Sequence, residues 1–398
     1  MDTLIESFLR KLQATQLDFI RSMAGDIPWE ARLIGIKGAR GVGKTTLILQ
    51  HIKQNLSNDL DKTLYVSLDD FWFATQSLHE MVRQFVARGG RHLFLDEVHK
   101  YEGWSQSIKN FYDNYPDLQI VFTGSSLLQI LNARADLSRR ALVFTMPGLS
   151  YREFIGMEKG IELPKISLQE ILENPLSASR EINSRIRPLQ FFDSYLKKGY
   201  YPFYKEFPDF YYHRLQEVVQ FMLEVELPSQ RNMEVAFVKK IKQLLVVIAQ
   251  SVPFIPNISK LSERIQINRT TLLTYLHYLE EIGLTMHLNK NASGLSMLQK
   301  PSKIYLENTN LIYLLAVENA NRGNLRETFF FNQLSCKHQI LKPAKGDFFV
   351  DSKYVFEVGG KNKTRRQISD TPSAFLVKDE IEYGSANTIP LWLFGFLY

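Results

Sequence analysis

One eight-residue stretch constrains this chain more than any other: Gly38-Ala39-Arg40-Gly41-Val42-Gly43-Lys44-Thr45 fits the pattern GxxxxGK[ST] with no substitution. Glycines let the backbone wrap until successive N–H groups point inward at phosphate oxygens, and the positive end of a helix dipole reinforces them. A strand has to deliver such a loop and a helix has to leave it. Both are legible here, as the apolar run Leu33–Ile36 before the loop and the amphipathic stretch Thr45–Asn58 after it. Gly38, Ala39, Arg40, Gly41, Val42, Gly43, Lys44, Thr45 and Thr46 are therefore expected to hold the phosphates of ATP. Lys44 would reach the β- and γ-phosphates, and the Thr45 hydroxyl would ligate Mg2+.

The surrounding text fits that scaffold. Short apolar runs at Thr63–Leu68, His92–Leu95, Leu118–Phe122 and Ala141–Thr145 alternate with helix-like segments. That alternation argues for a parallel α/β sheet over residues 1–150. The third run ends in two acids, Asp96 and Glu97. Asp96 at a strand end suits the holding of Mg2+ through water, and Glu97 beside it suits a general base for an attacking water. The next run ends Thr123-Gly124-Ser125-Ser126. Ser125 is expected either to sense the γ-phosphate or to cap a helix. Arg139 and Arg140 precede the fifth run, where they would reach a neighbouring subunit's nucleotide or form a solvated pair.

Further on, residues 151–234 read as helical, with an aromatic-rich turn at 199–207. Residues 235–306 read as two helices, a turn, a helix and two short strands, and 307–398 as α+β. In 258–282 the apolar positions and the turn Gln266-Ile267-Asn268 follow helix–turn–helix grammar, with Asn268 as N-cap. Arg269, Thr270, Thr271 and Thr274 would face DNA, although such a module also serves for protein docking or as a spacer. The charge distribution favours DNA: residues 231–300 carry nine basic and four acidic side chains, most of a chain-wide excess of +6. A single cysteine, Cys336, excludes an internal disulfide framework. No apolar run approaches the roughly 20 residues that span a bilayer. The expectation is a soluble, cytoplasmic protein with no membrane partner.

GARGVGKTT, LFLDEVHKY and IVFTGSS, followed by MPGLSYREF, resemble the AAA-type ATPases of bacteria and archaea that carry a C-terminal domain of unknown function. YLKKGYYPFY, ISKLSERIQINRTTLLTYLHYLEEIGL and FEVGGKNKTRRQI extend the resemblance over nearly the whole chain. It implies an α/β AAA+ core with strand order 5-1-4-3-2, a helical lid-like region, a winged helix and a nuclease-like terminal domain. In that last domain Glu327, Asp347 and Glu357 resemble the PD-(D/E)XK arrangement and mark a possible second Mg2+ site. Gly359 departs from it by standing where the pattern wants lysine, with Lys361 or Lys363 as substitutes. A fold retained for nucleic-acid binding or docking is the alternative. The basic run Lys361, Lys363, Arg365, Arg366 would suit a phosphate backbone.

The resulting expectation is an ATPase that couples nucleotide state to DNA or partner binding, working as a homo-oligomer or with a protein partner that supplies an arginine. A docking switch with negligible turnover and a Mg2+-dependent nuclease are the alternatives.

Overall fold

The computed structural model describes residues 1–124, 137, 139–231, 235–250, 253–290, 300–316 and 320–398. The chain divides into two compact units, Met1–Gly148 and Leu149–Tyr398.

The first unit is built on strands β1 (Leu33–Lys37), β2 (Thr63–Ser67), β3 (His92–Asp96), β4 (Gln119–Gly124) and β5 (Leu142–Thr145). All pair in parallel, in the order β2-β3-β4-β1-β5, which is the 5-1-4-3-2 order the resemblance implies. Strands covered by helices on both faces read as unbroken apolar runs. That is why Ile34, Ile36, Leu93, Leu95, Ile120 and Phe122 are all buried. Among the described residues, four helices accompany the sheet: α1 (Asp2–Ala14), α2 (Lys44–Asn55), α3 (Leu78–Ala87) and α4 (Trp104–Asn114). Helix α1 buries Leu4, Phe8 and Leu12 and packs on β2 and α2. The chain leaves β1 toward β2 on one side of the sheet and returns from β4 to β5 on the other. β1 therefore stands at a switch in connection direction, where open α/β sheets leave a crevice beyond the strands' carboxyl ends.

The second unit begins with α5 (Tyr151–Lys159), α6 (Leu168–Glu173), α7 (Pro175–Arg185), α8 (Leu189–Lys198) and α9 (Tyr211–Phe221). α5 and α6 each start with a reciprocal capping box, Ser150–Glu153 and Ser167–Glu170. A π-turn at Met222–Glu226 leads into α10 (Leu227–Arg231) and α11 (Val235–Ala249). Next come α12 (Ile258–Ile265) and α13 (Arg269–Glu281), then the antiparallel pair β6 (Thr285–Leu288) and β7 (Lys303–Leu306). Gln266 turns the chain between α12 and α13 at φ +57, and the Asn268 side chain accepts from the Thr271 N–H at 2.7 Å. Leu261, Ile265, Leu272, Leu276 and Leu279 form the inward face. Tyr275 is also buried, while Leu273 is half-buried. After α14 (Thr309–Leu315) and α15 (Arg322–Ser335) comes a mixed sheet of five strands: β8 (Ile340–Leu341), β9 (Phe348–Val350), β10 (Tyr354–Gly359), β11 (Ala374–Lys378) and β12 (Thr388–Pro390).

A polar knot lies within this second unit. Asn310 accepts the Tyr200 N–H and donates to the carbonyls of Tyr195 and Leu196. Nearby, Glu307 accepts from the Tyr200 hydroxyl at 2.8 Å and from the amides of Asn308 and Asn332. Burial pushes the Glu307 carboxyl up from its ordinary 4.5 to about 7, against the pull of those hydrogen bonds. The folded chain therefore holds this proton more tightly than the unfolded chain does. Its contribution to stability is present below the ordinary value and is lost as pH rises through about 7. We expect unfolding free energy to fall between about pH 5 and pH 8 by on the order of 2 kcal/mol from this group. Glu307→Gln should flatten that slope in denaturant titrations; an unchanged slope would remove Glu307 as its source.

Candidate nucleotide site

Past the end of β1, Gly41 and Gly43 take φ of +84 and +99, a left-handed backbone that side chains resist. Gly38 is constrained by space instead: a Cβ there would lie 2.3 Å from the Met146 carbonyl oxygen. The loop is pinned from outside by the buried Arg21, whose guanidinium donates to the Val42 carbonyl at 2.8 Å and to those of Pro147 and Gly148. Gly43 caps α2, so Lys44 is its first residue. The Lys44 side chain folds back over the loop, 4% exposed, and donates to the carbonyls of Gly38 at 2.9 Å and Ala39 at 3.0 Å. Neutral carbonyl contacts such as these can be exchanged for phosphate oxygens, which bind an ammonium more strongly.

β3 brings Asp96 to the loop. Its carboxylate is 2% exposed and accepts three hydroxyl protons: from Thr45 at 2.6 Å, from Tyr65 at 2.7 Å and from Thr123. A buried carboxylate is costly unless its lone pairs are filled, and three charge-assisted hydrogen bonds do that. The donor set facing the phosphate loop, the Thr45 hydroxyl and the Asp96 carboxylate, consists of hard oxygens, which suits Mg2+. Burial, then the Asp96 charge, push the Tyr65 phenol well above its usual range, so it remains a donor.

Glu97 follows in the left-handed region at φ +52. Such a conformation in a residue other than glycine costs on the order of 1 kcal/mol and is held here by its surroundings. The Glu97 N–H donates to Thr123 Oγ1 at 3.2 Å, and its carboxylate lies 3.4 Å from His99 Nδ1. Burial, followed by the charges of Lys100, Lys44 and Arg40, lowers His99 to about 3, so this ring is neutral.

Lys44, Thr45, Asp96 and Glu97 lie together at the carboxyl edge of the sheet. Ser125 lies outside the described residues. Thr123, on β4, is the side chain that meets Asp96, and sequence reading passed over it although it stands in the quoted IVFTGSS run. Tyr65 was missed as well. Its signal was a tyrosine among the aliphatic residues of a buried run, carrying a polar tip that must find a partner when buried. Arg140 makes a two-pronged pair with Asp113 of its own chain, at 2.9 and 3.1 Å, while Arg139 is exposed.

In the second unit, Glu327 accepts from Tyr305 at 2.7 Å and from Lys303 at 3.1 Å, and Lys303 lies 3.9 Å from Asp347. Glu357 is 1% exposed and paired with Lys363 at 2.5 Å. Lys363 fills the room that Gly359 leaves, since a Cβ at 359 would fall 2.5 to 2.8 Å from its side-chain carbons. As folded, this is a lysine-matched acid cluster rather than a cage of three carboxylates. Among the described residues no group of three or more His, Cys, Asp or Glu side chains is placed to hold a metal ion. The basic run at 361–366 is half structural: Lys363 holds Glu357 and Arg365 donates to the Ala374 carbonyl, while Lys361 and Arg366 are exposed. No helix among the described residues is long and apolar enough to cross a membrane.

The first unit's five parallel strands, in the order β2-β3-β4-β1-β5, have the arrangement of AAA+ P-loop folds. Residues 30–155 match the family described as AAA domain. Over 366 residues the chain is 26% identical to the uncharacterized protein MJ1637 of Methanocaldococcus jannaschii, covering 84% of this chain and 77% of that one. Among solved structures it is similar to AMPPCP-bound DnaA from Aquifex aeolicus, at 16% identity and a TM-score of 0.28 over 65% of this chain and 84% of that one. It is also similar to RIF2 of Saccharomyces cerevisiae, at 15% identity and a TM-score of 0.31 over 55% and 90%. Structural likeness this slight carries no weight for function.

Proposed function

We propose that this chain binds and hydrolyses ATP and couples the nucleotide cycle to DNA contact through the helix–turn–helix segment of its second unit. The observation that carries the reading is the bond from Thr45 to a buried, three-fold hydrogen-bonded Asp96, with Lys44 folded over the loop and Glu97 turned out of regular backbone. The loop amides and Lys44 hold the β- and γ-phosphates. Thr45 and Asp96 would hold Mg2+, whose chemistry is to neutralise charge on the phosphate oxygens. Glu97 takes a proton from water as the water oxygen bonds to the γ-phosphorus and the bond to the β–γ bridging oxygen breaks, leaving ADP and phosphate. Arg139, exposed before β5, is the residue we assign to a second copy's nucleotide; Arg140 is occupied by Asp113.

DNA contact is supported by charge and exposure. Lys260, Arg264 and Arg269 are exposed on α12 and at the start of α13, within a segment of nine basic and four acidic residues. Duplex DNA should accelerate hydrolysis at low salt and lose that effect as salt rises. Arg269→Ala should lower DNA affinity and reduce the salt slope by about one. Affinity indifferent to both salt and Arg269 would sink the DNA assignment. Tight ATP binding with no phosphate release, with or without DNA, would replace hydrolysis by a binding switch.

A further inference from the structure

Tyr65 occupies the middle of β2, and its backbone partner on β3 is Phe94. Paired residues on adjacent strands share a face, and so do residues two apart on one strand. Tyr65 and Asp96 therefore project from the same side of the sheet, with the tyrosine long enough to reach the strand end. Its phenol donates to Asp96 Oδ2, the same oxygen that accepts from Thr45, while Thr123 donates to Oδ1. The ring is held from α1, with the Phe8 centroid at 6.2 Å and Lys11 Nζ over its face at 5.2 Å.

We propose that Tyr65 is a positioning residue of the nucleotide site, pinning Asp96 Oδ2 so that Thr45 spends its proton there and turns its oxygen lone pairs toward Mg2+. This rests on the reading that the loop takes Mg·ATP. Two donors on Oδ2 and one on Oδ1 leave the carboxylate no equivalent rotamer. Without the phenol only Thr45 remains on Oδ2, and the plane of the group is no longer fixed from the β2 side. Loss should therefore fall on the metal-dependent part of binding, not on the phosphate loop.

The test is Tyr65→Phe in the full chain, measured by the affinity of a fluorescent ATP analogue in Mg2+ and in EDTA. The variant should bind about tenfold more weakly in Mg2+ and like wild type in EDTA, the scale expected for one hydrogen bond to a charged group. The Mg2+ concentration that half-saturates hydrolysis should rise by a similar factor, with little change in kcat at saturating Mg2+. Phe8→Leu loosens the ring's packing but keeps the hydroxyl, and should retain the wild-type Mg2+ preference. Unchanged affinity of Tyr65→Phe in Mg2+, equal loss in both buffers, or the same Mg2+ defect in Phe8→Leu would each overturn the assignment. Wild-type protein that gains no affinity from Mg2+ would overturn the parent reading itself, and is a separate outcome because it needs no variant.

Discussion

Glu97→Gln should bind ATP as wild type does and lose turnover by a factor of about 10² to 10⁴, the range that positioned general bases contribute. The substitution keeps the size and the planar end of the side chain and removes the acceptor for a proton. The hydrogen bonds from Lys44 to the Gly38 and Ala39 carbonyls and from Thr45 to Asp96 do not run through the Glu97 carboxylate. The backbone argues the same way. Glu97 already sits at φ +52, fastened through its N–H to Thr123, and glutamine accepts that conformation no worse than glutamate. Single-turnover phosphate release, paired with equilibrium binding of the same nucleotide, separates the two effects. Turnover undiminished in Glu97→Gln would show that another group takes the proton.

The phosphate loop and the Asp96-Glu97 pair were legible because each is local: glycine spacing dictates a loop, and an apolar run ending in acids dictates a strand end. All five strands followed from unbroken apolar runs; β1 to β4 are buried as a doubly covered sheet requires, whereas the edge strand β5 is largely exposed. What the sequence concealed is long-range. Tyr65, Thr123 and Thr45 are separated by 20 to 78 positions, and only the strand order brings their hydroxyls to one carboxylate. Lys363 is a second case. Glycine at 359 reads as a lost lysine, but the missing side chain makes room for a lysine from four residues on. The Arg139-Arg140 pair shows the limit from the other side. Adjacent residues with equal chemistry are told apart only by Asp113, which claims one of them.

The second large effect concerns binding, and Lys44→Ala should show it. In the folded chain the ammonium is buried and rests on two loop carbonyls, so it is already desolvated and oriented before any phosphate arrives. Preorganisation of that kind lowers the cost of association. Truncating one partner of a buried charge-assisted contact costs about 2–5 kcal/mol, part of it the penalty of leaving the other charge unmatched. ATP affinity should therefore fall by roughly two to three orders of magnitude. The fold should survive, because the carbonyls of Gly38 and Ala39 lose a donor at a loop edge while Arg21 still grips Val42. Thermal unfolding separates the two consequences. Without nucleotide the variant should melt close to wild type. With Mg·ATP at about 100 times the wild-type Kd, wild type should gain about 2.7 kcal/mol, and the variant almost none. A variant that still gains the full increment would place the phosphates somewhere other than this loop.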